Sequence, residues 1–158
     1  MKIFYYDYPI GKMGIVEEEG KISGLFFRGK EKFQKGKTKP DKTETPLIKK
    51  TAAQLSEFFA GQRKQFCLPL LLRGTDFQIS AWKALQKIPY GETRSYKEEA
   101  VMAGNPKACR AVGMANNRNP IAIIVPCHRV IGSDGSLTGY GGGLDKKQYL
   151  LDLERRHL

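Results

Sequence analysis

The chain is poor in cysteine and poorer in histidine: 158 residues contain three Cys, two His and one Trp. Cys67, Cys109 and Cys127 stand far apart, form no Cys-x-x-Cys and, being odd in number, cannot all pair internally. That argues against a disulfide framework and for a reducing cytoplasm. No stretch approaches the roughly 18 consecutive apolar residues of a membrane span. Met1-Lys2 leads into mixed polar sequence rather than an apolar secretion segment. Neither membrane insertion nor secretion is expected.

Acidic residues are the scarcer charge, 16 Asp and Glu against 27 Lys and Arg, which leaves a net charge of +11 and favours a polyanionic partner. Residues 1–75 carry net +7 and residues 76–158 net +4. Much of the first surplus lies between Arg28 and Lys50, in a Gly- and Lys-rich run that reads as a solvated loop. The second surplus is more informative. From Ala100 to Ser133 there is no Asp or Glu, while Lys107, Arg110, Arg118 and Arg129 are present. A carboxylate-free window of that length suits contact with phosphates.

With 41% hydrophobic residues the chain can bury one medium core or two small ones. Alternation and glycine turns over the first thirty residues (Ile3–Tyr6, Met13–Val16, Ile22–Phe27) predict antiparallel strands. Thr45-Pro46 opens a helix whose Ile48, Ala52, Leu55 and Phe59 share a face before Gly61 stops it. Phe66–Leu72 reads as a short apolar strand, with Cys67 packed in the core. Residues 1–72 thus form a small α/β domain with a basic loop at 28–50, and residues 73–158 a second domain rich in helix.

That second domain is well punctuated. Thr75-x-x-Gln78 and Ser95-x-x-Glu98 are capping boxes for two helices, the first with Phe77, Ala81, Leu85 and Ile88 on one face and ended by Pro89-Tyr90-Gly91. The second ends at Gly104, and Asn105-Pro106 starts a third helix running to about Asn116. Two short helices across a glycine turn make a helix-turn-helix candidate, winged-helix-like in its setting, with residues 106–116 in the recognition position. Ile121–Val125 reads as a buried strand delivering Pro126-Cys127-His128-Arg129-Val130. A thiol beside His and Arg sits in a setting that lowers its pKa from about 8.5.

The segments Gly104-Asn105-Pro106-Lys107-Ala108-Cys109-Arg110-Ala111-Val112-Gly113, Asn119-Pro120, Ile124–Val130 and Gly139-Tyr140-Gly141-Gly142-Gly143-Leu144, with Lys147 and Leu150-Leu151, closely resemble the O6-alkylguanine-DNA alkyltransferases. The likeness runs almost unbroken from Thr75 to the C-terminus; the first half matches only in length and coarse pattern. The resemblance implies an α+β protein acting as a monomer on double-stranded DNA that carries O6-alkylguanine, with O4-alkylthymine a further candidate lesion, and needing no cofactor. Some relatives bind a structural zinc in the N-terminal domain, but Cys67 alone, with no histidine there, leads us to expect no metal here.

The same resemblance assigns roles. Cys127 is the nucleophile, activated through a water by His128, which Glu154 orients, and Asn119 is a hinge bonding backbone beside the cysteine segment. Alkyl transfer to a thiolate leaves a thioether with no easy hydrolytic exit, so the protein would act once. Since O6 inside a stacked duplex cannot reach such a cysteine, the base must be flipped. Arg110 would fill the gap, with Lys107 and Ala111 on the same DNA-contacting element and Tyr96 placed to rotate the phosphate. Tyr140, the Gly141 N–H and the carbonyls of Cys127 and Val130 would hold the base, with Ala122 and Asn116 lining the pocket. Some relatives carry a hydroxyl residue where Gly141 stands, which removes a side-chain donor to O6. Two alternatives remain open from the residues alone: a cysteine hydrolase, disfavoured because strand neighbours such as Cys127 and His128 face opposite ways, and a non-catalytic lesion-binding or regulatory helix-turn-helix protein, which would not need Cys127.

Overall fold

The computed structural model describes residues 1–31 and 39–158, so the Lys-rich run at 32–38 lies outside the described residues. These divide into two compact units, Met1–Leu72 and Arg73–Leu158. The architecture is α+β, as expected, and no helix among the described residues is long and apolar enough to cross a membrane.

In the first unit, β1 (Lys2–Tyr8), β2 (Gly11–Glu18) and β3 (Lys21–Phe27) form an antiparallel meander, and β4 (Asp41–Lys42) joins β1 in parallel, giving the order β3-β2-β1-β4. The β2–β3 turn needs two left-handed residues, and Glu19 and Gly20 supply them at φ 52° and 72°. The stretch 28–50 is therefore not all loop, since it holds β4 and the first turn of α1 (Pro46–Phe59). Thr45 caps α1 by accepting from the Ile48 N–H, with Pro46 behind it. The helix packs on β1, β2 and β3 and buries Ile48, Ala52, Leu55 and Phe58. Phe59, expected on that face, instead stacks on Tyr8 with ring centroids 5.2 Å apart.

Phe66–Leu72 is not a strand. Only Leu70 bridges to Ile22, through Ile22 N–H to the Pro69 carbonyl and Leu71 N–H to the Ile22 carbonyl, both 2.8 Å. Pro69 has no N–H to continue the ladder, and the Cys67 backbone is bonded by the Gln54 side chain instead. Cys67 is exposed, not a core residue.

In the second unit both capping boxes form as the sequence predicts, Thr75 for α2 (Asp76–Gln86) and Ser95 for α3 (Tyr96–Met102). α3 ends in a Schellman turn: Gly104 takes φ 86°, Asn105 N–H reaches the Ala100 carbonyl and Gly104 N–H the Val101 carbonyl. The next helix, α4 (Cys109–Asn117), starts three residues later than the Asn-Pro signal suggests. Asn105–Ala108 closes a turn of its own through Ala108 N–H to Asn105 O, so Lys107 lies in the turn and not on the helix.

Ala81 of α2, Ala100 of α3 and Val112 and Ala115 of α4 are buried together. Side chains this small allow close approach of the three helices, and the indole N–H of Trp82 ties α2 to the Ala115 carbonyl at 2.8 Å. A two-residue parallel pair, β5 (Arg94–Ser95) with β6 (Val130–Ile131), joins the start of α3 to the chain just past Cys127. α5 (Leu144–Arg156) completes the unit.

Candidate active site

The expected strand at 121–125 is a series of tight turns. Ile124 N–H bonds the Ala122 carbonyl, Val125 N–H that of Ile121, and Cys127 N–H that of Val125. Ile123 sits at φ 70°, a costly conformation for a β-branched residue. The side chain of Asn119 holds the coil closed, its Nδ2 donating to the Val125 carbonyl at 2.7 Å and its Oδ1 accepting from Ile121 N–H at 3.0 Å. Those two bonds occupy backbone groups that a strand would offer to a neighbour. Ile121, Ile123 and Val125 are buried all the same, which is why their apolar run read as a strand.

The coil delivers a single 3-10 turn, Cys127–Arg129. Cys127 is half-buried. Burial pushes its thiol up, partly offset by a hydrogen bond from Asn119 and the positive charge of Lys147, while the Glu99 carboxyl adds to the rise. The expected depressed thiol pKa is thus corrected: a proton must be removed during reaction rather than being absent beforehand. Arg129 does not supply the positive field. Its guanidinium bonds Glu154 and the Ile88 carbonyl and lies over the Tyr90 ring, 5.7 Å from the centroid.

His128 and Glu154 are both fully buried. His128 Nε2 lies 2.6 Å from Glu154 Oε2, and the same carboxylate accepts from Arg129 Nε at 2.9 Å and Nη2 at 3.0 Å and from Gly91 N–H at 3.0 Å. These partners hold Glu154 down at about 2 against the desolvation that opposes them. Burial dominates at His128 and lowers its pKa, so the imidazole is neutral and the ionic partner of Glu154 is Arg129. An ionised carboxylate only accepts, so Nε2 carries the imidazole proton and Nδ1 is the basic nitrogen. Nδ1 is buried without a partner among the described residues, and no hydrogen bond joins His128 to Cys127.

Lys147 belongs to the C-terminal part of the alkyltransferase-like motif. It is fully buried, donates from Nζ to the Thr138 carbonyl at 2.8 Å, lies over the Tyr96 ring and is the cation acting on Cys127. Lys147, Leu150, Leu151 and Glu154 are spaced i, i+3, i+4, i+7, the buried face of α5; that spacing was the signal for it. Tyr140 is half-buried with its hydroxyl turned inside, and burial together with Cys127 raises its pKa well above the ordinary value. Gly141 is exposed, and a Cβ built on it would meet nothing within 4 Å. Ala122 is half-buried and Val130 buried, Val130 N–H bonding the Cys127 carbonyl. Asn116 is buried and donates to Glu99.

Arg110 and Ala111 are exposed on α4 with Met114 and Asn117, and Lys107 just before the helix and Arg118 just after it are exposed too, so these exposed residues include no acid. Tyr96 opens α3, and its hydroxyl donates to the Thr138 carbonyl at 2.9 Å. It therefore ties the helix-turn-helix to the Thr138–Gly143 segment in this structure. No group of three or more His, Cys, Asp or Glu side chains among the described residues is arranged to hold a metal ion.

A family model described as 6-O-methylguanine DNA methyltransferase, DNA binding domain, matches residues 76–156, and its companion, the ribonuclease-like domain, matches residues 1–72. The chain belongs to the 6-O-methylguanine DNA methyltransferase family. The methylated-DNA-protein-cysteine methyltransferase of Methanosarcina barkeri is 52% identical over 159 residues, covering 98% of this chain and 99% of its own. The constitutive enzyme of Bacillus subtilis is 48% identical, covering 93% and 91%. The crystal structure of Mycobacterium tuberculosis OGT in complex with DNA is similar at a TM-score of 0.90 and 46% identity, over 99% of this chain and 94% of that one. The methyltransferase family's model thus covers both units, including the first, where the sequence alone offered only length and pattern.

Proposed function

We propose that this protein repairs DNA by transferring the alkyl group of O6-alkylguanine directly and irreversibly to Cys127, as a monomer on double-stranded DNA, with residues 73–158 binding the DNA and carrying out the transfer. The observation that carries the reading is the Cys127–His128–Glu154 arrangement, in which Glu154 locks one imidazole nitrogen and leaves the other basic and buried beside the thiol's turn. The names of similar proteins and the DNA-bound Mycobacterium tuberculosis structure support DNA as the partner.

In the reaction the thiol proton passes through a water to His128 Nδ1, and the sulfur attacks the alkyl carbon in line. The S–C bond forms as the C–O6 bond breaks, and the electron pair leaves with guanine. An O6-alkylguanine has no proton on N1; the product regains one, so the net proton transfer is from thiol to base. Imidazolium formed on the way is stabilised by Glu154. Asn119 and Lys147 lower the cost of charge on sulfur. Tyr140, Gly141, Val130, Ala122 and Asn116 surround the base, with Arg110 replacing it in the stack and Lys107, Ala111 and Tyr96 contacting the backbone.

The test is intact mass after mixing with excess duplex containing one O6-methylguanine. The protein should gain one methyl group, mapped to Cys127, and then stop. Continued turnover, or methylation at the exposed Cys67 or Cys109, refutes the reading.

A further inference from the structure

Glu98 and Glu99 are neighbours on α3 with opposite fates. Glu98 is exposed and caps Ser95, whereas Glu99 is fully buried. Glu99 Oε1 accepts from Asn116 Nδ2 at 2.7 Å. The other two polar atoms of the pair, Glu99 Oε2 and Asn116 Oδ1, are both buried with no hydrogen-bond partner among the described residues. An ionised carboxylate would leave two acceptors facing no donor, an arrangement that costs far more than a satisfied one. One proton removes the conflict. Placed on Oε2, it turns an acceptor into a donor, and the acceptor it needs belongs to the amide that Oε1 already binds.

We propose that Glu99 and Asn116 form a protonated acid–amide pair, closed by two hydrogen bonds, whose proton sets how far the charge of Glu99 opposes ionisation of the Cys127 thiol. Among the described residues, the groups around Glu99 supply no charge that would ionise it. From α2, the indole N–H of Trp82 is committed to the Ala115 carbonyl. α4 presents only the Asn116 amide, and on α5 the Lys147 ammonium is bonded to Thr138. Arg94 of β5 bonds the Thr93 carbonyl and pairs with Glu92. Cys127 is the titratable group that Glu99 acts on, and the action opposes thiolate formation. Burial pushes Glu99 up to about 7, with the Asn116 bond pulling the other way.

Loss of the proton would open one of the two bonds to Asn116 and place a negative charge near the sulfur. Thiol ionisation and Glu99 ionisation therefore oppose each other, and reactivity should rise less with pH than a lone thiol allows. The inference rests on Cys127 being the nucleophile, but its test does not need DNA. With Cys67 and Cys109 replaced by serine, carboxamidomethylation of Cys127 by iodoacetamide is followed from pH 5.5 to 9.5 for Glu99 and Glu99→Gln proteins. Glutamine keeps the pair neutral, and an amide–amide pair can close in the same way. The ratio of the Glu99→Gln rate to the Glu99 rate should climb by about 3- to 10-fold between pH 6 and pH 9, the size of effect one unit charge exerts at moderate distance inside a protein.

Parallel pH profiles would overturn the proposal. Should Glu99→Gln fail to fold, the 13C carboxyl resonance of Glu99 in the unsubstituted protein decides instead. A midpoint near neutrality supports the pair, and one below pH 5 overturns it. Methyl transfer from duplex, measured on the same preparations, separates the two readings: its absence sinks the assignment of function, whereas normal transfer with parallel profiles sinks only the pair.

Discussion

Replacing Glu154 with glutamine tests the energetic centre of the site. The carboxylate is 1% exposed and accepts from Arg129, His128 and Gly91 at 2.6 to 3.0 Å. Glutamine nearly preserves shape but removes the charge that balances a buried guanidinium. Stripping one partner from a buried ion pair costs about 3–5 kcal/mol, because the other charge stays behind. The lowered pKa of the carboxyl points the same way: its partners favour the ionised form, so its contribution to stability is present at neutral pH. For a chain of this size 1 kcal/mol moves Tm by about 2–4 °C, so Glu154→Gln should lower it by roughly 6–20 °C.

The pH dependence has a definite sign. A depressed folded-state pKa gives stability that is complete above about 4.5 and is lost as pH falls toward about 2. The gap between wild type and Glu154→Gln should be flat from pH 6 to 8 and shrink below pH 4.5. Urea unfolding across that range measures it. Adding Arg129→Met should restore part of the loss, since no buried charge then remains unpaired. Single-turnover transfer at a temperature where all variants are folded should still be slow in Glu154→Gln, because imidazolium on His128 loses its counter-charge. A gap below about 1 kcal/mol at pH 7, or one unchanged at pH 3, would refute the reasoning.

Three other outcomes follow from the same geometry. Arg110→Ala should slow single-turnover repair of duplex by roughly 10- to 100-fold, as about 1.5–3 kcal/mol of flipping cost goes uncompensated, while reaction with free O6-benzylguanine is almost unchanged; equal losses on both substrates, or a duplex defect that vanishes at saturating protein, would reduce Arg110 to a phosphate contact. Gly141→Ser meets open space, so stability should hold within about 0.5 kcal/mol, and the added hydroxyl should speed transfer by up to about tenfold if it reaches O6; slower transfer in a folded variant would show that the side chain obstructs the pocket. Because the folded-state pKa of Glu99 is raised to about 7, its stabilisation is complete below about 4.5 and fades as pH rises through 7, so Glu99→Gln should gain about 3 kcal/mol on wild type between pH 4.5 and 8, and urea midpoints that move in parallel would contradict it.

What could be read in the sequence was whatever rests on local rules. Thr45, Thr75 and Ser95 capped the helices they promised, because a cap depends only on a side chain and the N–H three residues on. The Ile121–Val125 coil was misread because its shape is imposed from outside the run, by the Asn119 side chain holding both ends. The later start of α4 has a local cause instead, because Asn105-Pro106 opens a separate turn closed by the Ala108 N–H on the Asn105 carbonyl.

The charges divide along the same line. Lys147 and Glu154 look like surface residues by type, yet their spacing with Leu150 and Leu151 turns both inward, and each finds its function through a neighbour: Glu154 through His128, Lys147 through the field at Cys127. Glu99 carries a spacing signal of the same kind, since Tyr96, Glu99, Ala100 and Ala103 run i, i+3, i+4, i+7 along the packed face of α3 and its C-cap, while Ser95-x-x-Glu98 marks Glu98 as the exposed cap. The thiol setting shows why residue type alone misleads. Two cations beside Cys127 in sequence suggested a ready thiolate, but Arg129 is spent on Glu154 and His128 is neutral. Burial raises the Cys127 thiol and lowers the His128 imidazole, so both stand neutral in the folded protein.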